Sequence, residues 1–142
     1  MRIRTIALAG LLAAVAGCAS HPYTFDESVT ASETVLRRHY TKIESSKGND
    51  NQRVVTSGWQ ELSEMKDRER WQATVTITRP EDEDDNPSID IVVMRQNDES
   101  DTGYGERSPS NPKWGVATHY QDEELSISND IGHELRALRG KK

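Results

Sequence analysis

Five consecutive acids, four scattered histidines and one cysteine are the side chains of this 142-residue chain best suited to metal or proton chemistry. The acids, Glu81-Asp82-Glu83-Asp84-Asp85, lie between Pro80 and Pro87. Calcium wants roughly six to eight oxygens on a loop folded around it, usually with a glycine at the sharp turn. No glycine is present here, and adjacent acids on an extended chain point in different directions. Residues 80–87 therefore read as a solvated acidic loop whose charge keeps a strand end soluble. The histidines are His21, His39, His119 and His133, and none forms a His-x-x-x-His pair. His133-Glu134 lacks the second histidine of a zincin motif. His39 and His133 fall away from the apolar stripes of their helices and read as solvated. His119 lies on a strand beside Tyr120, with a pocket role only as the lesser alternative. The serines carry no Gly-x-Ser-x-Gly elbow, and no glycine loop could cradle a phosphate. No acid, base and nucleophile set can be named, so the expectation is a protein without enzymatic activity, metal or cofactor.

Cys18 ends a leader. Arg2 and Arg4 give a cationic start, Ile6 to Val15 a run of about ten apolar or small residues, and Val15-Ala16-Gly17 lead to the unique cysteine. A run of that length cannot span a ~30 Å hydrocarbon core as a helix, so residues 1–17 read as an export signal. The Val-Ala-Gly-Cys ending resembles the lipobox of bacterial lipoproteins. That resemblance implies removal of the leader and multiple acylation of Cys18 as the new first residue. The other reading is an ordinary secretory signal cleaved near Ala16 to Ala19. With Cys18 modified, no thiol remains for a disulfide or a thiolate metal site.

Loss of the leader takes the 18 basic residues to 16 against 24 acids, a formal charge of −8. That balance argues against nucleic acid, whose phosphates need clustered Lys and Arg. It also argues against broad adsorption to anionic lipid headgroups. Hydrophobic residues number 35 of the remaining 125. So few suit a thin core in one small domain with long polar loops, because they fall into patterned runs rather than being scattered.

Thr24 and Glu27 have capping-box spacing, and Phe25, Val29, Leu36 and Tyr40 share one face of a helix ending between Tyr40 and Ser45. Thr30 and Glu33 allow a start six residues later. The turn-rich Lys47 to Asn51 follows. Arg53 to Leu62 reads as a strand with Val55 and Trp59 on one parity. Trp71, Ala73, Val75 and Ile77 alternate strictly with polar partners, which predicts a strand wet on one side. Ile89, Ile91 and Val93 predict another, and Trp114 to Tyr120 a less regular fourth. Ile131, Leu135 and Leu138 mark a short C-terminal helix capped within Ser126 to Asp130, with Gly140 at its stop. Its cations Arg136, Arg139, Lys141 and Lys142 suit the helix C-terminus.

The expected fold is α+β, a small antiparallel sheet of three to four strands with both helices on one face. The domain should span 24–140, after a lipidated tether of residues 18–23. Element order and lipobox together loosely resemble the small lipoproteins that assist outer-membrane assembly. That likeness is one of fold and does not establish function; the expectation is a non-enzymatic module that contacts an envelope protein. The contact would be a sheet edge, Trp114, or Tyr104 in the flexible loop 97–112, which is dense in Asp, Ser, Gly and Pro. Trp59 and Trp71 are core if they share the apolar face, and a partner surface if one is exposed. The alternative is a binding module for a small apolar or lipid-like ligand held by Phe25, Leu36, Trp71 and Ile91. The short tether keeps the domain close to its membrane. Ala19 does not resemble the Asp inner-membrane retention signal, which favours the periplasmic face of an outer membrane.

Overall fold

The computed structural model describes residues 21–62, 68–100 and 112–141. The expected leader, Cys18 and Tyr104 lie outside the described residues. Helix α1 (Phe25–His39) starts at the first of the two expected positions. Thr24 Oγ1 accepts from the Glu27 N–H at 3.1 Å, and Glu27 Oε2 accepts from the Thr24 N–H at 2.9 Å. Two of the helix's otherwise orphaned donors are satisfied reciprocally.

The chain then forms β1 (Ile43–Gly48), β2 (Gln52–Ser57), β3 (Gln60–Leu62), β4 (Glu69–Thr78), β5 (Ser88–Asn97) and β6 (Thr118–His119), and closes with helix α2 (Gln121–Gly140). All pairings are antiparallel, in the order β1-β2-β4-β5-β6, with β3 alongside β4 beyond the end of β2. The class is α+β with both helices on one sheet face, and the sheet has six strands rather than three or four. The additional strand β1 is an edge strand with little apolar content, so burial leaves no trace of it in the sequence. Gly48, at φ 154°, makes the turn into β2, where a Cβ would collide with the Gln52 carbonyl.

Alternation along β4 buries Ala73, Val75 and Ile77 and leaves Thr74, Thr76 and Thr78 on the other face. Val55 of β2 and Val93 of β5 join them under Val35 and Leu36 of α1 and Ile127, Ile131 and Leu135 of α2. The helices run antiparallel, so the start of α1 meets the end of α2. Small residues let α1 approach the sheet: Ala31, Ser28 and Ser32 are buried, each serine hydroxyl donating to a carbonyl one turn earlier.

The expected strand from Arg53 to Leu62 is two strands. Between them, Ser57 Oγ accepts the Ala73 N–H at 2.9 Å, supplying the partner that the broken ladder of β2 and β3 does not. The break also reverses parity, so Trp59 leaves the face that holds Val55. The expected strand from Trp114 to Tyr120 is one isolated bridge, Asp98 to Trp114, and the two residues of β6. Helix α2 begins at Gln121, well before the expected Ser126 to Asp130. Asp122, Glu123 and Glu124 occupy its first turn, where negative charge is favoured, and Ile127 packs in the core.

Candidate functional site: the uncovered sheet face

No helix among the described residues covers the second sheet face, which carries Val54, Thr56, Thr74, Thr76, Val92 and Met94. At one end of it stands a three-layer stack. The Arg70 guanidinium carbon lies 4.4 Å from the ring centroid of Trp59 and 4.4 Å from that of Trp114. A guanidinium between two indoles gains electrostatic attraction on both faces. Arg70 Nε donates to Gln96 Oε1 at 2.8 Å across the β4–β5 ladder, and Gln96 Nε2 donates to the Gly115 carbonyl at 2.9 Å. The cation is thereby fixed to the segment that delivers Trp114. Burial lowers the pKa of Arg70, and the charge of Glu61 opposes that shift.

The segment bearing Trp114 is fastened in turn. The Glu99 N–H donates to the Lys113 carbonyl at 2.7 Å and the Gly115 N–H to the Asn97 carbonyl at 2.9 Å. Asp98 Oδ1 accepts from the N–H groups of Ser100 and Lys113 at 2.9 and 3.0 Å. The loop expected over 97–112 thus has a zipped base: Asn97 ends β5, and residues 98–100 pair with 113–115. Its remaining part, 101–111 with Tyr104, lies outside the described residues.

Trp71 lies on the helix-covered side. Its ring centroid is 4.8 Å from that of Tyr120, and Arg95 sits 4.8 Å over Tyr120. The two tryptophans therefore do not share a face: Trp71 packs against the core, and Trp59 belongs to the stack.

A second polar array links the helices. His39 Nδ1 is 2.9 Å from Glu123 Oε1, and Nε2 is 2.7 Å from Asp130 Oδ2. The side chain is 18% exposed, so the solvated role expected for His39 is wrong. The sequence places it off the stripe of α1 but cannot show that α2 brings two carboxylates to it. Burial acts to lower its pKa. Hydrogen bonds to Asp130 and Glu123, with their negative charge, outweigh burial and raise the net value above 6.5. Beside it, burial pushes the Tyr40 phenol up, with Glu123 adding to the shift. His119 is mostly exposed, 3.3 Å from Glu124. Its nearest described feature is that carboxylate rather than a pocket.

At the opposite end of the helices the chain preceding α1 is clasped. The Tyr23 N–H donates to Asn86 Oδ1 at 2.8 Å, and Arg139 lies 3.8 Å over the Tyr23 ring while donating to the His21 carbonyl. The acidic loop is at this end, exposed from Glu81 to Asn86. It borders a cleft of about 230 Å³ lined by Tyr23, Phe25, Arg79 and Pro87 among others. Among the described residues no group of His, Cys, Asp or Glu is arranged to hold a metal ion, and no helix is long and apolar enough to cross a membrane. Comparison with protein families, curated proteins and solved structures finds no match to this chain.

Sequence reasoning selected Trp114 from this face and missed Arg70 and Gln96. The available signal was parity, since Arg70 precedes the inward Trp71 and must point outward. Nothing in the spacing brings Trp59 and Trp114 to either side of it.

Proposed function

We propose that this chain is a bacterial envelope lipoprotein, held to a membrane by lipid on Cys18, whose domain is a non-enzymatic protein-interaction or assembly module. The observation that carries the module is the Trp59–Arg70–Trp114 stack on an uncovered sheet face. Tryptophan and arginine dominate binding energy at protein interfaces, and this trio is preorganised by its own hydrogen bonds. The stack orders both side-chain types before any partner arrives.

The anchor rests on the leader sequence and is compatible with the clasp at Tyr23. Only Ala19 and Ser20 separate Cys18 from His21, so Cys18 and the clasped end of the domain are within about 11 Å along the chain. A domain so tethered works at the membrane surface, and the residue after Cys18 favours the periplasmic face of an outer membrane. At His39 the two carboxylates engage both ring nitrogens, which leaves that ring no lone pair for base catalysis.

The alternative, a module for an apolar or lipid-like ligand, requires space beside Phe25, Leu36, Trp71 and Ile91. Leu36 is 0% exposed in a packed core. Among the described residues, the cleft beside Tyr23 offers space for such a ligand. One measurement tests the anchor, and two others separate the readings of the domain. Cys18→Ser with cell fractionation releases the protein from membranes if the anchor is right. A photo-crosslinking residue at Thr74 on the open face yields one stoichiometric adduct in intact cells, lost in Trp114→Ala. Crosslinks to bulk envelope proteins alone, or a retained natural ligand in native mass spectrometry, count against the module.

A further inference from the structure

Strand β5 has two edges, and among the described residues only one is fully used. Its inner edge pairs with β4 along the whole length from Ser88 to Asn97. On the outer edge the partners can be counted residue by residue. The Asn97 carbonyl takes the Gly115 N–H, and Arg95 pairs with Thr118 of β6. The Val93 carbonyl takes the Tyr120 N–H, and the Val93 N–H donates to Glu124 Oε1 at 2.9 Å. Outward groups recur at every second residue, so Ile91 and Ile89 come next. Among the described residues, neither has a partner on that edge. The opposite edge of the sheet is treated differently: β1 carries a register shift between Ile43 and Ser45, the charges of Glu44 and Lys47, and Gly48. Irregularity and charge of that kind deter strand addition, and the stretch from Ser88 to Val92 has only Asp90.

Exposed apolar side chains occur on the elements that flank β5. The exposed large hydrophobics among the described residues are Val92 at 38%, Val116 at 86% and Leu125 at 63%. Val92 is on β5 and Val116 is in the segment that pairs with it. Leu125 is on α2, where Glu123, Asp130 and Glu134 all reach α1 while Glu124 reaches Val93. A step of 100° per residue turns Leu125 and Gly132 away from α1, toward the flank above the β5 edge.

We propose that the outer edge of β5, from Ser88 to Val92, receives an extended segment of a partner protein as an added antiparallel strand, with alternating apolar and basic side chains. This deepens the interaction-module reading, on which it rests, by naming one docking edge and the chemistry of its occupant. Residues opposite Ile89 and Ile91 place their side chains on the helix side, where apolar groups extend the cover provided by Leu125. The residue opposite Asp90 lies on the open face, where a Lys or Arg meets that carboxylate. The acidic run Glu81 to Asp85, immediately before β5, favours the same sign. Charge also selects against a second copy of this chain. Self-pairing that uses Ile89 and Ile91 on both chains sets Asp90 against Asp90 in a close non-hydrogen-bonded pair, which like charges destabilise.

The test uses the full chain, purified with its lipid in detergent micelles and labelled with ¹⁵N. The probe is a capped heptapeptide alternating valine and lysine. Its binding protects the Ile89 and Ile91 amides from hydrogen exchange and shifts their resonances. Replacing its lysines by glutamates weakens binding about tenfold or more. N-methylation of the valines, whose N–H groups face β5, abolishes binding, whereas N-methylation of the lysines leaves it intact. Asp90→Lys, a change at an exposed position, reverses the preference toward the glutamate peptide. Three results overturn the proposal: unchanged Ile89 and Ile91 amides at saturating peptide, equal affinity for the acidic peptide, or amides already protected in the free protein. In the last case sedimentation distinguishes a dimer from an edge covered by the chain itself. Failure here leaves the stack at Trp114 untouched, because crosslinking from Thr74 in cells reads a different face.

Discussion

His39 Nε2 lies 2.7 Å from Asp130 Oδ2, joining helices whose residues are 91 positions apart in the chain. With Glu123 on the other nitrogen, the ring is held best as an imidazolium between two anions. The folded state therefore holds this proton more tightly than the unfolded state, whose value is near 6.5.

Stability should consequently depend on pH in one direction. The contribution of His39 is fully present below about pH 6.5 and is lost as pH rises through the raised folded value. Urea midpoints measured from pH 6 upward should fall, and His39→Gln should flatten that slope. An NMR titration should place the folded His39 above 6.5. A value below it would contradict the pairing of His39 with Glu123 and Asp130.

Ser57→Ala removes the hydroxyl that caps the Ala73 N–H at the break between β2 and β3. A buried donor without a partner costs about 1–3 kcal/mol. The loss should register in urea unfolding with an unchanged slope, and amide exchange at Ala73 should accelerate.

Leu36→Ala opens a cavity beneath both helices. Truncations of this kind cost about 2–5 kcal/mol, a large share of the stability of a domain with so few apolar residues. Thermal unfolding should show the fall directly, whereas Val116→Ser, at an 86% exposed site, should leave the midpoint almost unmoved.

Trp59→Ala removes one indole from Arg70 while Trp114 remains. The direct loss is about 0.5–2 kcal/mol, and the helix-side core is untouched. Near-ultraviolet circular dichroism should lose the signal of the ordered stack, with the far-ultraviolet spectrum preserved. Loss of both would mean that the stack supports the fold rather than decorating it.

Legibility in the sequence followed how local each cause was. The start of α1 was readable because a capping box involves only Thr24 and Glu27. Strand β4 was readable because Trp71, Ala73, Val75 and Ile77 alternate within a single strand. Strand β1 was not, since Glu44-Ser45-Ser46-Lys47 has no periodic burial and is defined by its pairing to β2. The first turn of α2 looked like loop because its acids find their reasons elsewhere, at His39 and at the Val93 N–H. Trp59 was placed on the core parity because the break after Ser57 shifts the register. Trp114 was singled out as a contact residue, but its partner Arg70 arrives by the closing of β4 against β5, a relation no spacing encodes.

The antiparallel helices bring Tyr23 and Arg139 together, so the two ends of the described fold are neighbours. Joining them by a short linker and opening the exposed turn at Asn49 to Asn51 should give a circular permutant with the same sheet. A reporter domain fused after Lys142 would crowd the segment that enters at His21, whereas one inserted between Asp82 and Asp84 would still sit at that crowded pole. Labels meant to leave that pole free therefore belong on the outer surface of α2, at the exposed Asn129 or Ala137.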